Sequence, residues 1–339
     1  MSAGCSVPSP SVAVLGASGF AGALAAQLLW RHPTFELAAV TSRSDAGRRL
    51  DDLYPRHRVP LTLEELDLDR HADVDAAVVA YPHGASALVI SELVGRGVRV
   101  VDLSADFRLR DPDVYERWYG DHPVPDLIDR AVYGLTELYR DELAGADLVA
   151  NPGCFPTAAV LSLAPLARAG LIGDVVIDAK TGVSGAGRAA TERTHFVSVD
   201  ENVVPYGVAG HRHTPEIDQE LAALGAPVTT TFVPHLVPLD QGELVSCYVT
   251  PAHETDEAEL RALYENAYAG EPFVELADRP PGVRDVRDTN LCRISVHHDA
   301  RAGKILVFGA TDNLWKGTSS QGVQNLNLMF GLPEGEGIS

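Results

Sequence analysis

The stretch 11–30 limits the possible folds most sharply. Ser11-Val-Ala-Val-Leu15 is a short apolar run suited to a buried strand, Gly16-Ala-Ser-Gly19-Phe-Ala-Gly22 is a glycine-rich turn, and the run that follows has helical character. Strand, glycine turn and helix in that order open a dinucleotide-binding βαβ unit. Small residues there let the backbone approach a pyrophosphate held at the helix N-terminus. The spacing is G-x-x-G-x-x-G rather than the commoner G-x-G-x-x-G, and a tight structural turn without a ligand is the competing reading. Further apolar runs at 35–40, 76–80, 97–103 and 148–150 alternate with helical segments. This pattern predicts an α/β fold with a parallel sheet through residue 150.

Ligands bind such sheets at the C-terminal ends of the strands. The second strand runs into Thr41-Ser42-Arg43-Ser44, where an acidic residue would take a free ribose hydroxyl. Hydroxyls and a guanidinium suit a 2′-phosphate instead, which favours NADP over NAD. Asp45 argues the other way, and Arg43 also fits a solvated loop charge. After the third strand, Tyr81-Pro82-His83-Gly84 either lines a cofactor or forms an exposed turn. After the fourth, Arg108 has the planar fork that grips a phosphate or carboxylate, or it pairs with Asp106 at the surface.

The strand at 148–150 feeds Asn151-Pro-Gly-Cys154-Phe-Pro156-Thr157 and then a buried helical run. Pro156 is acceptable in a first helical turn, so Cys154 falls at or just before a helix N-terminus. Unpaired N–H groups and the helix dipole can stabilise a thiolate there and lower its pKa. A buried, inert cysteine fits the same stretch. None of the four cysteines, Cys5, Cys154, Cys247 and Cys292, forms a C-x-x-C pair, so neither zinc nor dithiol chemistry is expected. No secretory signal and no membrane span are visible, and the chain reads as a cytoplasmic protein with reduced thiols. The net charge of −20 weighs against nucleic-acid and anionic-membrane partners but leaves room for a local basic pocket.

Beyond the cysteine helix the pattern changes to a mixed sheet. Strands are expected at 174–179, 229–237, 244–249, 291–296 and 304–310, with 229–237 and 244–249 antiparallel. Lys180-Thr-Gly-Val-Ser184-Gly185-Ala-Gly-Arg188 is either a structural loop or an anion or substrate contact. His211-Arg-His213-Thr-Pro-Glu-Ile217 places two histidines before a helix with Thr214 as the expected N-cap, and histidine is the usual acid–base partner of a catalytic thiol. A final helix is expected to return to the first sheet and carry Asn313-Leu-Trp-Lys316-Gly317 across a cleft. The tails at 1–10 and 333–339 are expected to be disordered and frayed, respectively.

Gly16 to Gly22, Ser104 to Arg108, Asn151 to Cys154, His211 to His213 and Asn313 to Gly317, in that order, resemble the N-acetyl-γ-glutamyl-phosphate reductase family. The resemblance runs over about residues 11–331. It implies a Rossmann-type unit (1–152 with 314–339) and an α+β mixed-sheet catalytic unit (153–313), as in glyceraldehyde-3-phosphate dehydrogenase. It implies an NADP(H)-dependent reductase of an acyl phosphate in arginine biosynthesis, releasing inorganic phosphate and assembling as a homo-oligomer, a dimer or tetramer. Cys154 would be the nucleophile, with His213 or His211 moving protons. Gly16, Ala17, Ser18, Gly19, Phe20, Ser42, Arg43, Pro82, His83, Gly84, Asn313, Lys316 and Gly317 would hold the cofactor. Arg108, Asn151, Ser184 and Gly185 would hold the substrate. Competing readings are the lysine-branch reductase, whose acidic carrier protein a −20 chain would repel, aspartate-semialdehyde dehydrogenase, and an NADP-binding regulator without activity.

Overall fold

The computed structural model describes residues 9–338. Most of the expected N-terminal tail, with Cys5, and the terminal Ser339 lie outside the described residues. Two sheets organise the chain. The first is six-stranded in the order β2-β1-β3-β4-β6-β5. Its strands are β1 (Ser11–Leu15), β2 (Glu36–Thr41), β3 (Ala76–Val79), β4 (Arg99–Asp102), β5 (Val132–Tyr133) and β6 (Leu148–Ala150), and every pairing is parallel. β3 is buried along its whole length, as expected for a parallel strand covered on both faces. Covering helices include α1 (Phe20–Trp30) and α2 (Ala87–Gly95). Helices α3 (Pro112–Tyr119) and α4 (Thr136–Leu143) lie in the excursions between β4 and β6.

β6 passes through Gly153 into α5 (Cys154–Arg168), which starts at the nucleophile candidate itself. Pro156 falls in the first turn, where its missing N–H costs nothing. The helix then crosses to the second sheet and packs on β10 and β13. That sheet is seven-stranded, β11-β12-β13-β10-β7-β9-β8. Its strands are β7 (Ile172–Thr181), β8 (Val204–Pro205), β9 (Thr231–Leu236), β10 (Glu243–Pro251), β11 (Val274–Leu276), β12 (Cys292–Asp299) and β13 (Lys304–Thr311). Helices α6 (Thr214–Ala223) and α7 (Glu257–Ala267) belong to this half. The expected pairing of β9 with β10 is not formed. They run in opposite directions, but each pairs with β7, β9 in parallel and β10 antiparallel.

A π-type turn, Trp315–Ser319, leads into α8 (Ser320–Met329). Val323, Leu326 and Met329 of α8 share a buried cluster with Val12, Val14 and Leu24 of the first half. The expected fraying at 333–339 is also corrected. The Glu336 carbonyl accepts from His32 Nε2 at 2.9 Å, the Thr34 hydroxyl bonds the Glu336 carboxylate, and Ile338 is buried in the same cluster. Those contacts tie residues about 300 apart in sequence, a pairing that local composition does not encode. No helix among the described residues is long and apolar enough to cross a membrane.

Candidate active site

One cavity of about 510 Å³ lies between the two halves. It is lined by Cys154, Arg108, His83, His211 and His213, together with Arg193 and Arg212. Three guanidinium groups thus converge on a single pocket in a chain of net charge −20. Cys154 borders it through the geometry of the β6–α5 turn. Behind the sulfur, Gly317 of the π-type turn packs so closely that an added Cβ would come 2.8 Å from Cys154 Cβ. In front, an added Cβ on Gly153 would stand 2.5 Å from His213 Nε2. The imidazole therefore lies directly on the residue before the nucleophile. His213 itself occupies the α6 N-cap, the position expected for Thr214, and Thr214 is the first helical residue. The His213 amide donates to His211 Nδ1 at 3.1 Å, so His211 orients the turn that carries His213.

The electrostatics around Cys154 favour the neutral thiol over the thiolate. Burial pushes its pKa well above the usual thiol range, and the Glu243 carboxyl beside it adds to the rise. The Phe155 amide and Arg108 pull the other way but do not prevail. His213 is held well below its ordinary pKa by burial, then by His211 and Arg108. His211 is lowered to about 4, chiefly by burial. Both shifts favour the neutral forms of a thiol and an imidazole that line one cavity, and the His213 Nδ1 is buried without a partner. Helix-terminal N–H groups favour the anion, but desolvation of the half-buried cysteine at the cavity wall works against it.

Glu243 and Glu216 were not singled out by the sequence reading. Glu243, fully buried, lies against Cys154 and Thr181, and neither carboxyl oxygen completes a well-formed hydrogen bond. Burial raises its pKa to about 8. The signal was present: Glu243, Val245, Cys247 and Val249 alternate on the buried face of β10. Because the folded state holds this proton more tightly than the unfolded chain, its contribution to stability is full below about pH 4.5 and is lost as pH rises through about 8. Glu243→Gln should remove that loss, on the order of a few kcal/mol. Thermal melts from pH 5 to 9 should show the wild-type melting temperature falling relative to the variant. Parallel curves would remove the assignment.

Glu216 Oε1 accepts from the Gly153 amide at 2.9 Å and from the Tyr133 hydroxyl at 2.8 Å, while Oε2 faces Arg108 Nη1 at 3.6 Å. Arg108 is therefore not paired with Asp106. Its Nε donates to the Asn151 carbonyl at 2.7 Å and its Nη2 to the Leu103 carbonyl at 3.0 Å. Asp106 instead accepts from the amides of Gly84, Ser86 and Ala87 and so fixes the turn that presents His83.

The other expected site residues divide into four groups. Gly185 and His83 line the cavity, and Arg212 contacts the His83 ring across it. Asn151, Ser184 and Asn313 are buried supports. Asn151 bonds Thr318 and Asn325, and Asn313 joins the Gly242 amide at 2.7 Å to the Ser184 hydroxyl at 3.0 Å. Lys316 is turned away from the cavity altogether. It is fully buried, with Nζ 2.6 Å from Glu137 and 2.8 Å from Gln324. A lysine with no water to reach pairs with the one carboxylate the fold brings to it, and the expected cofactor contact is corrected. Pro82 and Gly84 belong to the exposed turn beside His83.

The glycine turn suits a dinucleotide. Added Cβ atoms on Gly16 and Gly22 would strike the backbone of Ala80 and Gly16, respectively, so the chain is as tight as the motif requires. Gly16 and Ala17 donate to the Thr41 carbonyl, Gly19 caps α1, and the first turn of α1, beginning at Phe20, holds no acidic residue to repel phosphate. Ser18 and Ser42 join hydroxyls at 2.8 Å across the ends of β1 and β2, and Arg43 next to them is exposed. The Tyr81 ring lies against Gly16 and also lines the cavity, so one side chain touches both the glycine turn and the thiol pocket. Among the described residues no cluster of three or more His, Cys, Asp or Glu side chains is arranged to hold a metal.

Fold and site together define a semialdehyde dehydrogenase. The chain matches the NAD-binding domain of that class over residues 11–146 and its dimerisation domain over 154–313. The solved aspartate semialdehyde dehydrogenase II of Vibrio cholerae superposes with a TM-score of 0.71 at 19% identity, covering 95% of this chain and 98% of that one, a likeness of fold. Nearer in sequence are the N-acetyl-γ-glutamyl-phosphate reductases of Desulforudis audaxviator and Moorella thermoacetica. They are 49% and 48% identical, over 96% and 95% of this chain and 97% and 95% of the relatives. The chain belongs to the N-acetyl-γ-glutamyl-phosphate reductase family.

Proposed function

We propose that this chain reduces N-acetyl-γ-glutamyl phosphate to the γ-semialdehyde with NADPH, in arginine biosynthesis, through a thioester on Cys154. The observation that carries the reading is the convergence of Cys154, His213 and three arginines on one pocket. The substrate carries a phosphate and a carboxylate, and guanidinium forks suit both. Arg193 and Arg212 join Arg108 as candidates for these anions. Cys154 attacks the acyl carbon while His213 accepts the sulfur's proton, so proton loss accompanies bond formation rather than preceding it. Inorganic phosphate leaves and a thioester remains. NADPH, held at the Gly16–Phe20 turn, would supply the hydride for this carbonyl. His213 then returns its proton as the aldehyde leaves, and backbone N–H groups at the α5 start face the developing oxyanion.

Residues 1–152 with 314–339 are proposed as the cofactor unit and 153–313 as the catalytic unit, a division supported by the packing of α8 on the first sheet. Self-association is proposed through the outer face of the second sheet, where Val176 and Tyr248 are 36% and 39% exposed. The test is a reverse assay with phosphate and NADP. N-acetylglutamate semialdehyde should generate reduced cofactor, and aspartate semialdehyde should not. Preference for the latter would overturn the substrate.

A further inference from the structure

The loop after β7 reaches the crevice that the proposed function assigns to the cofactor, beside the glycine turn and the end of β2. Gly182, Val183 and Ser184 donate to the carbonyls of Gly242, Leu239 and Asp240, so the loop is anchored within its own half of the molecule. Gly187, at φ 85°, turns the chain back, and Arg188 leaves the loop toward the first half. Its Nη1 lies 2.7 Å from Asp45 Oδ2 and 3.3 Å from the Ser18 carbonyl, and its Nη2 is 3.4 Å from Asp45 Oδ1. Arg48 adds a contact of 3.1 Å to Oδ1, and the Ser44 hydroxyl one of 2.8 Å to Oδ2.

Asp45 follows β2 beside Ser42, whose hydroxyl accepts from the Asp45 amide at 3.1 Å. An acidic side chain after the second strand ordinarily accepts from a free ribose diol and repels a 2′-phosphate. Here both carboxylate oxygens are already occupied and two guanidinium groups offset the charge. The acid that the sequence reading counted against NADP is thereby cancelled, by a residue from the opposite half of the molecule. We propose that Arg188 sets the dinucleotide preference of this chain by neutralising Asp45 at the ribose end of the crevice.

The inference rests on assigning that crevice to the cofactor. The loop that carries Arg188 also holds Asn313 through Ser184, so one anchored segment joins Asp45 to a buried support of the site. Titration of the full chain with NADPH and NADH, read as cofactor fluorescence, tests it without turnover. Arg188→Ala should weaken NADPH by about tenfold or more while NADH changes by less than about threefold. Arg188→Lys should keep the wild-type preference. In the Arg188→Ala background, Asp45→Asn should return NADPH binding to within about threefold of wild type. Equal weakening of both cofactors, no weakening, or failure of Asp45→Asn to restore NADPH overturns the proposal. Wild-type protein that binds neither cofactor overturns the crevice assignment instead.

Discussion

Replacing Cys154 with serine should cut turnover by at least about a thousand-fold, because a neutral hydroxyl beside a weakly basic imidazole is a far poorer nucleophile than sulfur. NADPH affinity should stay near wild type, since the glycine turn and the Asp45–Arg188 region lie outside the cavity that Cys154 lines. Reverse-direction rates and cofactor titration on the same preparation separate the two effects. Substantial activity in the serine variant would remove the thioester route.

The second large effect is expected from a residue without a side chain. Gly153 has φ −67° and ψ 156°, a conformation any residue adopts, so its requirement is one of space alone. A methyl group there meets the His213 ring at 2.5–2.9 Å. Because Gly153 also donates to Glu216, the backbone has little freedom to retreat, and the ring must move. Gly153→Ala should lower turnover about a hundred-fold through misplacement of His213. The stability cost should be about 1–3 kcal/mol, the usual range for overpacking. Rates, melting temperature and NADPH affinity together check it. A variant as active as wild type would mean that His213 does not work from this position.

These effects turn on contacts of very different legibility. The first sheet could be read locally, because β3 is an unbroken apolar run and the glycine turn sits between a strand and a helix. Cys154 at a helix start was legible from Pro156 and the apolar residues after it. The electrical state of that cysteine was not. It depends on enclosure and on Glu243, about 90 residues away, and the local helix end argued for the opposite sign. Glu243 lay within reach of the alternation rule. Glu216 did not, because nothing in a helix's own periodicity reveals that its carboxylate will meet the Gly153 amide. Lys316 failed for the same reason: its partner Glu137 is 179 residues away. Proximity to a motif suggested cofactor contact, and a long-range ion pair decided otherwise.

Surroundings that push the Cys154 thiol toward its neutral form have a consequence for survival of the catalyst. Peroxide and other oxidants attack thiolates, and successive oxidation soon becomes irreversible. Surroundings that disfavour the Cys154 thiolate in the idle pocket would slow such attack, whereas a permanently ionised cysteine would be exposed to damage between turnovers. If Cys154 gives up its proton to His213 only as the acyl phosphate arrives, as proposed above, the enzyme's idle time is also its protected time.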